Sequence, residues 1–117
     1  MSGLKCSLLL VEDDKLDQKA FQRYVEKEGL AYDCTLAGSV GQAREFLQER
    51  NFDVVISDYS LGDGCALDVL EMAKGTPVIL VTGAGDEEVA VKVWQAGAYD
   101  YLVKDLDRNY LKALPIT

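Results

Sequence analysis

The segment Ser7–Asp14, SLLLVEDD, passes directly from an apolar run into three acidic residues. The run is too short for a buried helix and does not alternate with polar residues, so it predicts a strand covered on both faces in a parallel sheet. Similar runs occur at Val54–Ser57 (VVIS) and Pro77–Thr82 (PVILVT). Ala31–Ala37 and Tyr99–Val103 are weaker runs that suit the edges of such a sheet. The sequence therefore predicts five strands.

Amphipathic stretches separate these runs, with apolar residues recurring three or four positions apart. Ser39, with Gln42 three residues later, forms a capping-box pattern at the start of the second stretch. Glycine follows the first, third and fourth stretches, where it would end a helix. The predicted helices run from Leu16 to before Gly29, from Val40 to about Asn51, from Cys65 to Lys74, from Asp86 to before Gly97, and from about Asp107 to before Pro115.

Strands and helices alternate along the whole chain, without repeats, low-complexity segments or linkers. This order predicts a doubly wound α/β fold of five βα units, with right-handed crossovers and helices on both faces of a parallel sheet. We expect a single domain over residues 1–117, because the length and the hydrophobic share of 49% suit one core. Ligands of such sheets bind at the carboxyl ends of the strands, so the residues there should decide the function.

The composition excludes several kinds of site. The chain contains no histidine, so it has no imidazole for a catalytic triad or a zinc site and cannot itself be a phosphohistidine donor. The 20 acidic residues exceed the 12 basic ones, and the formal net charge of -8 argues against direct binding to nucleic acid or to a membrane surface. A divalent cation is a more suitable positive partner.

The three cysteines, Cys6, Cys34 and Cys65, are widely spaced and form no CxxC pair. This spacing favours packing residues in a reducing, cytoplasmic environment over a disulfide framework or a thiolate zinc site. No apolar run approaches the length of a membrane span, and the N-terminus lacks the pattern of a signal peptide. We expect a cytoplasmic domain.

Polar side chains follow four of the predicted strands. The first strand leads into Glu12 and Asp13, the third into Asp58, the fourth into Thr82 and the fifth into Lys104. Clustered carboxylates repel one another unless a cation neutralises them, and a small set of oxygen ligands suits Mg²⁺. Magnesium would also screen an incoming phosphoryl group. Lys104 and Thr82 could then supply a positive charge and a hydroxyl donor to its oxygens.

Four motifs resemble those of two-component response regulator receiver domains: VEDD at Val11–Asp14, VISDYSLGDG at Val55–Gly64, VTGAG at Val81–Gly85 and GAYDYLVK at Gly97–Lys104. They occur in the right order and spacing over essentially the whole chain. The resemblance implies a single receiver domain with the flavodoxin-like (βα)5 three-layer sandwich, whose five-stranded parallel sheet has the order 2-1-3-4-5.

The resemblance also implies roles for individual residues. Asp58 matches the aspartate that accepts a phosphoryl group from a histidine on a histidine kinase or a histidine phosphotransfer protein. Asp13 matches a direct magnesium ligand, together with Asp58 itself, and Glu12 matches the acidic residue that usually acts through a metal-bound water. The backbone carbonyl of Ser60 would be a further ligand. A domain of this kind catalyses its own phosphorylation and dephosphorylation but turns over no diffusible substrate, so it is not counted as an enzyme.

The resemblance implies a switch as well. Thr82 matches the hydroxyl that closes on the phosphoryl group, Tyr101 the aromatic residue that rotates inward behind it, and Lys104 the lysine that pairs with the phosphate. The output face would consist of the fourth helix, the fifth strand and the fifth helix, and it would act on a downstream output domain or protein. Formation of a homodimer through the fourth-helix face is left open.

Three residues depart from the usual pattern of the family. Glu12 stands where aspartate is commoner and is one methylene longer, which should displace an outer-shell water more than it weakens metal binding. Gly62 stands where proline often follows the acceptor, so the loop there should be looser. Asp105 replaces the proline that usually follows the lysine. A cis bond before Asp105 would cost roughly 3–4 kcal/mol, so the expected Lys104–Asp105 bond is trans, or a strained cis bond held by the site.

Other interpretations explain some of these residues. Acidic residues such as Asp13 and Asp14 commonly cap helices, and Asp58 alone could be a turn residue. The main alternative function is a receiver-like protein-interaction module that works without phosphorylation. An aspartate-nucleophile phosphatase would carry a second aspartate where this chain has Ser60, which argues against that class.

Overall fold

The structure is a computed structural model that describes residues 6–29, 32–73, 75–82, 88, 91–92 and 95–103, with the backbone alone for Ser60 and residues 100–103. Its elements are β1 (Cys6–Val11), α1 (Lys15–Lys27), β2 (Tyr32–Ala37), α2 (Val40–Glu49), β3 (Val54–Asp58), β4 (Ser60–Leu61), β5 (Gly64–Cys65), α3 (Ala66–Met72), β6 (Val78–Thr82) and β7 (Asp100–Val103).

Five strands form one parallel sheet in the order β2-β1-β3-β6-β7. Counted along the chain without the short β4 and β5, this is the predicted order 2-1-3-4-5, and the two weaker runs form the edges as expected. Residues 88, 91, 92 and 95 are helical, in the region of the predicted fourth helix. The predicted fifth helix lies outside the described residues.

Both faces of the sheet are covered, because successive residues of the inner strands point to opposite sides. On one face, Leu8 and Leu10 belong to a buried cluster with Phe21 and Val25 of α1. On the other face, Leu9 and Val11 join a cluster that includes residues of α2 and α3, namely Val40, Ala43 and Val69. Leu8 and Leu9 are both fully buried. These continuous apolar runs are therefore explained by burial on both sides, as the sequence predicts.

The start of α2 differs in one detail from the predicted capping box. Ser39 Oγ accepts a hydrogen bond from the Gln42 N–H (3.1 Å), as expected. The Gln42 side chain does not return this bond to Ser39 but accepts one from the Gly38 N–H (2.6 Å). The helix ends at Glu49, two residues before the predicted end. Among the described residues, no helix has the length and apolar character needed to cross a bilayer.

The sequence does not predict the small β4–β5 hairpin between β3 and α3. Ser60 pairs with Cys65 and Leu61 with Gly64, and the Leu61 side chain is buried in the same cluster as the apolar residues of α2. Strands of two residues are too short to give a periodic signal. Only Tyr59 separates the hairpin from Asp58, so the hairpin begins close to the edge where the acidic residues lie.

Among the glycines that the structure describes, Gly64 is the one at which an added Cβ would meet the shortest contacts. A Cβ built there would lie 2.6 Å from Asp68 Oδ2 and 3.0 Å from Val40 Cγ2. The Asp68 carboxylate also accepts a hydrogen bond from the Cys65 N–H (3.0 Å), so it cannot move away freely. We expect Gly64→Ala to lower the free energy of unfolding by about 1–3 kcal/mol, as overpacking commonly does.

Chemical denaturation of the two variants Gly64→Ala and Gly62→Ala checks this expectation. Gly62 lies in the same turn, its Cβ would meet no heavy atom within 4 Å, and its φ is not in the left-handed region. Gly62→Ala should therefore leave stability almost unchanged. Equal losses in the two variants would contradict the packing argument.

Candidate functional site

Three carboxylates meet at the carboxyl edge of the sheet. Glu12, Asp13 and Asp58 each place one carboxylate oxygen within 4.8 Å of those of the other two. Glu12 is buried, Asp13 is exposed and Asp58 is half-buried. The structure thus brings together three of the acidic residues singled out in the sequence, although Asp58 is more than 40 positions from the other two.

Both backbone polar groups of Glu12, its N–H and its carbonyl, form hydrogen bonds. Its N–H donates to the carbonyl of Ala37 at the end of β2 (2.9 Å), and its carbonyl accepts a bond from the Gln18 side chain (2.5 Å). Its carboxylate Oε2 accepts the N–H of Asp14 (3.1 Å). Only 4% of Glu12 is exposed, so these bonds hold a mostly buried carboxylate that faces the cluster.

The two aspartates that follow Glu12, Asp13 and Asp14, have different surroundings. Asp14 is the N-cap of α1, and its Oδ1 accepts the N–H groups of Leu16 (2.8 Å) and Asp17 (3.3 Å). The capping interpretation therefore holds for Asp14. Asp13, by contrast, is exposed at the edge of the sheet and belongs to the carboxylate cluster.

Asp58 is the last residue of β3. Its Oδ1 accepts the N–H of Tyr59 (2.9 Å), and its backbone carbonyl accepts the hydroxyl of Ser57 (2.9 Å). The Tyr59 N–H also lies 3.1 Å from the Val81 carbonyl of the neighbouring strand. The carboxylate is thus oriented by the backbone that follows it, at the end of a strand with neighbours on both sides.

Thr82 lies beside Asp58 at the end of the next strand. Asp58 is paired with Val81, so Thr82 is one residue further along β6, and only 1% of it is exposed. Because Thr82 is buried, water does not readily reach its hydroxyl group.

The remaining predicted site residues are described in part or not at all. The Ser60 backbone lies in β4, paired with Cys65. Tyr101 lies in β7 opposite Leu80, but its side chain is outside the described atoms. Lys104 and the Lys104–Asp105 bond lie outside the described residues, so the expectations for them stay predictions.

The cysteines take no part in the carboxylate cluster. Burial raises the pKa of the Cys34 thiol to about 11, with smaller contributions from Asp33 and Cys6. Burial, followed by the charge of Asp53, also raises the pKa of Cys6. Both side chains pack against the apolar cluster on the α1 side of the sheet, so they are protonated packing residues at neutral pH.

Comparison with known proteins places this arrangement in a family. The sequence model of the response regulator receiver domain matches residues 8–114. The chain is 38% identical over 109 residues to the alginate biosynthesis transcriptional regulatory protein AlgB of Pseudomonas aeruginosa, covering 90% of this chain and 24% of that protein. It is 35% identical over 111 residues to the acid tolerance regulatory protein ActR of Sinorhizobium medicae, covering 92% of this chain and 56% of that protein.

Solved structures of receiver domains also resemble the chain. A signal receiver domain from Vibrio parahaemolyticus superposes with a TM-score of 0.81 at 31% identity, covering 94% of this chain and 86% of that one. The receiver domain of the sensor histidine kinase PA1611 from Pseudomonas aeruginosa, which holds a magnesium ion in its active-site cleft, gives a TM-score of 0.76 at 25% identity, covering 94% and 93%. The chain spans about a quarter of the length of AlgB and of several other curated relatives that it matches. With its sheet order and its acidic edge, the chain belongs to the response regulator receiver domain family.

Proposed function

We propose that the chain is a single phospho-accepting receiver domain over residues 1–117 and that Asp58 is its acceptor. The observation that carries this proposal is the meeting of Glu12, Asp13 and Asp58 beside the buried Thr82. Three carboxylates at such short distances repel one another, which disfavours the arrangement unless a cation binds there. A structural role alone would not require this grouping.

The donor set fits Mg²⁺. It consists of carboxylate oxygens, which are the hard ligands that magnesium prefers, and no cysteine lies among them. Asp13, Asp58 and the Ser60 carbonyl would hold the ion directly, and Glu12 would act through a bound water. When bound, the ion would neutralise negative charge that otherwise repels a phosphoryl group.

The residues of the chain then perform the transfer. Asp58 Oδ attacks the phosphorus of a phosphohistidine, so an O–P bond forms while the N–P bond breaks and the imidazole nitrogen leaves with the electron pair. The Thr82 hydroxyl would donate a hydrogen bond to a phosphoryl oxygen, and Lys104 would pair with another. Thr82 and Tyr101 would pass the change to the face formed by the fourth helix, β7 and the fifth helix. Water attack on the same phosphorus would return Asp58.

The donor must belong to another domain or protein, because the chain itself contains no histidine. We propose a histidine kinase or a histidine phosphotransfer protein as donor, and an output domain or protein as the recipient of the signal. The domain modifies itself and releases no product other than phosphate, so we do not class it as an enzyme.

A small phosphodonor tests this proposal. The protein is incubated with acetyl phosphate with and without Mg²⁺, and its intact mass is measured over time. We expect one phosphoryl group per chain, formed only with Mg²⁺ and released by mild alkali, since acyl phosphates are labile. Absence of both magnesium binding and phosphorylation in the folded protein would instead favour the interaction module that works without phosphorylation.

A further inference from the structure

Asp63 connects two segments that are distant in sequence. It lies in the turn of the β4–β5 hairpin, and its carboxylate accepts the N–H groups of Val40 (Oδ1, 2.8 Å) and Gly41 (Oδ2, 3.0 Å) at the start of α2. These partners are 23 and 22 residues away. Each oxygen therefore binds one of the N–H groups that have no partner within the helix.

The N-cap residue of α2, Ser39, bonds a different N–H group from the two that Asp63 accepts. Ser39 Oγ accepts the N–H of Gln42, which is the third residue of the helix. A carboxylate is favourable at this position because the N-terminus of a helix is electropositive. The hydrogen bond from Val40, followed by that from Gly41, holds the pKa of Asp63 below its usual value, so the side chain is charged at neutral pH.

The turn that carries Asp63 contains residues with little backbone rigidity of their own. Glycines flank Asp63 on both sides, and glycine has the greatest backbone freedom of any residue. Gly62 also stands where the family often carries proline, and a Cβ at Gly62 would contact nothing within 4 Å. The turn is therefore not held rigid by its own residues, and it is held to the core by the buried Leu61 side chain together with the two hydrogen bonds from α2.

The connection extends to both halves of the acidic site. The hairpin begins at Ser60, two residues after Asp58. On the other side, α2 follows β2, and the last residue of β2, Ala37, accepts the N–H of Glu12 (2.9 Å). Asp63 thus links the segment that carries Ser60 to the segment that orients Glu12.

We propose that Asp63 is a positioning residue for the metal site. Through its bonds to α2, it sets the position of the Ser60 carbonyl relative to Glu12 and Asp13, whereas Asp58 is held by the direct pairing of β3 with β1. It touches neither the ion nor the phosphoryl group. This inference rests on the proposed function, because it concerns the same magnesium site.

Magnesium titration of the 117-residue chain by calorimetry tests the proposal, with the rate of phosphorylation by acetyl phosphate measured over a range of Mg²⁺ concentrations. We expect Asp63→Ala to weaken magnesium binding about three- to tenfold, below the range usual for residues that contact a metal ligand. At saturating Mg²⁺, the rate should return to near that of the unaltered protein. Asp63→Asn keeps one carbonyl oxygen that can accept a bond from the helix, so its magnesium dissociation constant should lie between those of the unaltered protein and Asp63→Ala. This variant provides the test if Asp63→Ala does not fold.

Two control variants distinguish the proposed positioning role of Asp63 from a general effect on the stability of α2 or on the net charge. Ser39→Ala removes the other cap of α2 and should lower thermal stability without changing the magnesium constant. Glu45→Ala removes a negative charge from an exposed position of the same helix and should change neither. The inference is overturned if Asp63→Ala binds magnesium like the unaltered protein, or if Ser39→Ala weakens binding as much. If the unaltered protein itself binds no magnesium, the proposed function fails first.

Discussion

Asp58→Asn should take up no labile phosphoryl group from acetyl phosphate in the presence of Mg²⁺, a loss of at least about 100-fold in the rate of adduct formation. The amide lacks the charged oxygen that attacks phosphorus. It keeps an oxygen that can accept the Tyr59 N–H, so the backbone after β3 should not change. Intact-mass measurement over time gives the rate directly.

The same variant should remain as stable as the unaltered protein in magnesium-free buffer, or become slightly more stable. The Asp58 carboxylate lies within 4.8 Å of those of Glu12 and Asp13, and removing it removes a like-charge repulsion. Asp33→Asn, which neutralises an exposed carboxylate on the edge strand β2, is the control and should be phosphorylated normally. Persistence of the adduct in Asp58→Asn would refute the assignment of the acceptor.

Asp13→Asn should weaken magnesium binding by at least about tenfold, which corresponds to about 1.4 kcal/mol. The substitution replaces a charged ligand with a neutral one, and magnesium sites depend on carboxylate charge. Phosphorylation at low Mg²⁺ should slow accordingly and recover in part when Mg²⁺ is raised. Calorimetric titration and the magnesium dependence of the rate measure the two effects.

The adjacent residue supplies the control. Asp14 lies next to Asp13, but its Oδ1 caps α1, and asparagine is an equally good N-cap. Asp14→Asn should therefore leave helix stability unchanged and shift the magnesium constant by no more than about twofold, because only a screened neighbouring charge is lost. Equal weakening in both variants would mean that net acidity, and not a ligand at Asp13, determines binding.

Much of the fold could be predicted because its information is local. The apolar runs that became β1, β3 and β6 are buried on both faces, and that environment leaves a continuous hydrophobic signature in the sequence. Glu12, Asp13 and Asp58 could be grouped in advance because the ends of parallel strands lie at one edge. The strand order itself required the resemblance to a known family.

The features that escaped prediction depend on contacts between distant residues. Asp63 between two glycines has the appearance of an ordinary turn residue, and nothing nearby indicates that its partners are the N–H groups of Val40 and Gly41. The β4–β5 hairpin is too short to show a period. The capping-box pattern predicts a bond between the Gln42 side chain and the Ser39 backbone, but Gln42 Oε1 accepts the N–H of Gly38 instead, and both arrangements satisfy the same sequence pattern.

The position of β3 in the centre of the sheet has a consequence for signalling. Its backbone is bonded to β1 on one side and β6 on the other, and Val55 is fully buried. Such a strand is among the last parts of a protein to open by local unfolding. A phosphoryl group on Asp58 would therefore be attached to an inner strand that is held on both sides. We expect the displacement that follows to occur in the loops that leave the sheet, since β3 is held in place by both of its neighbours.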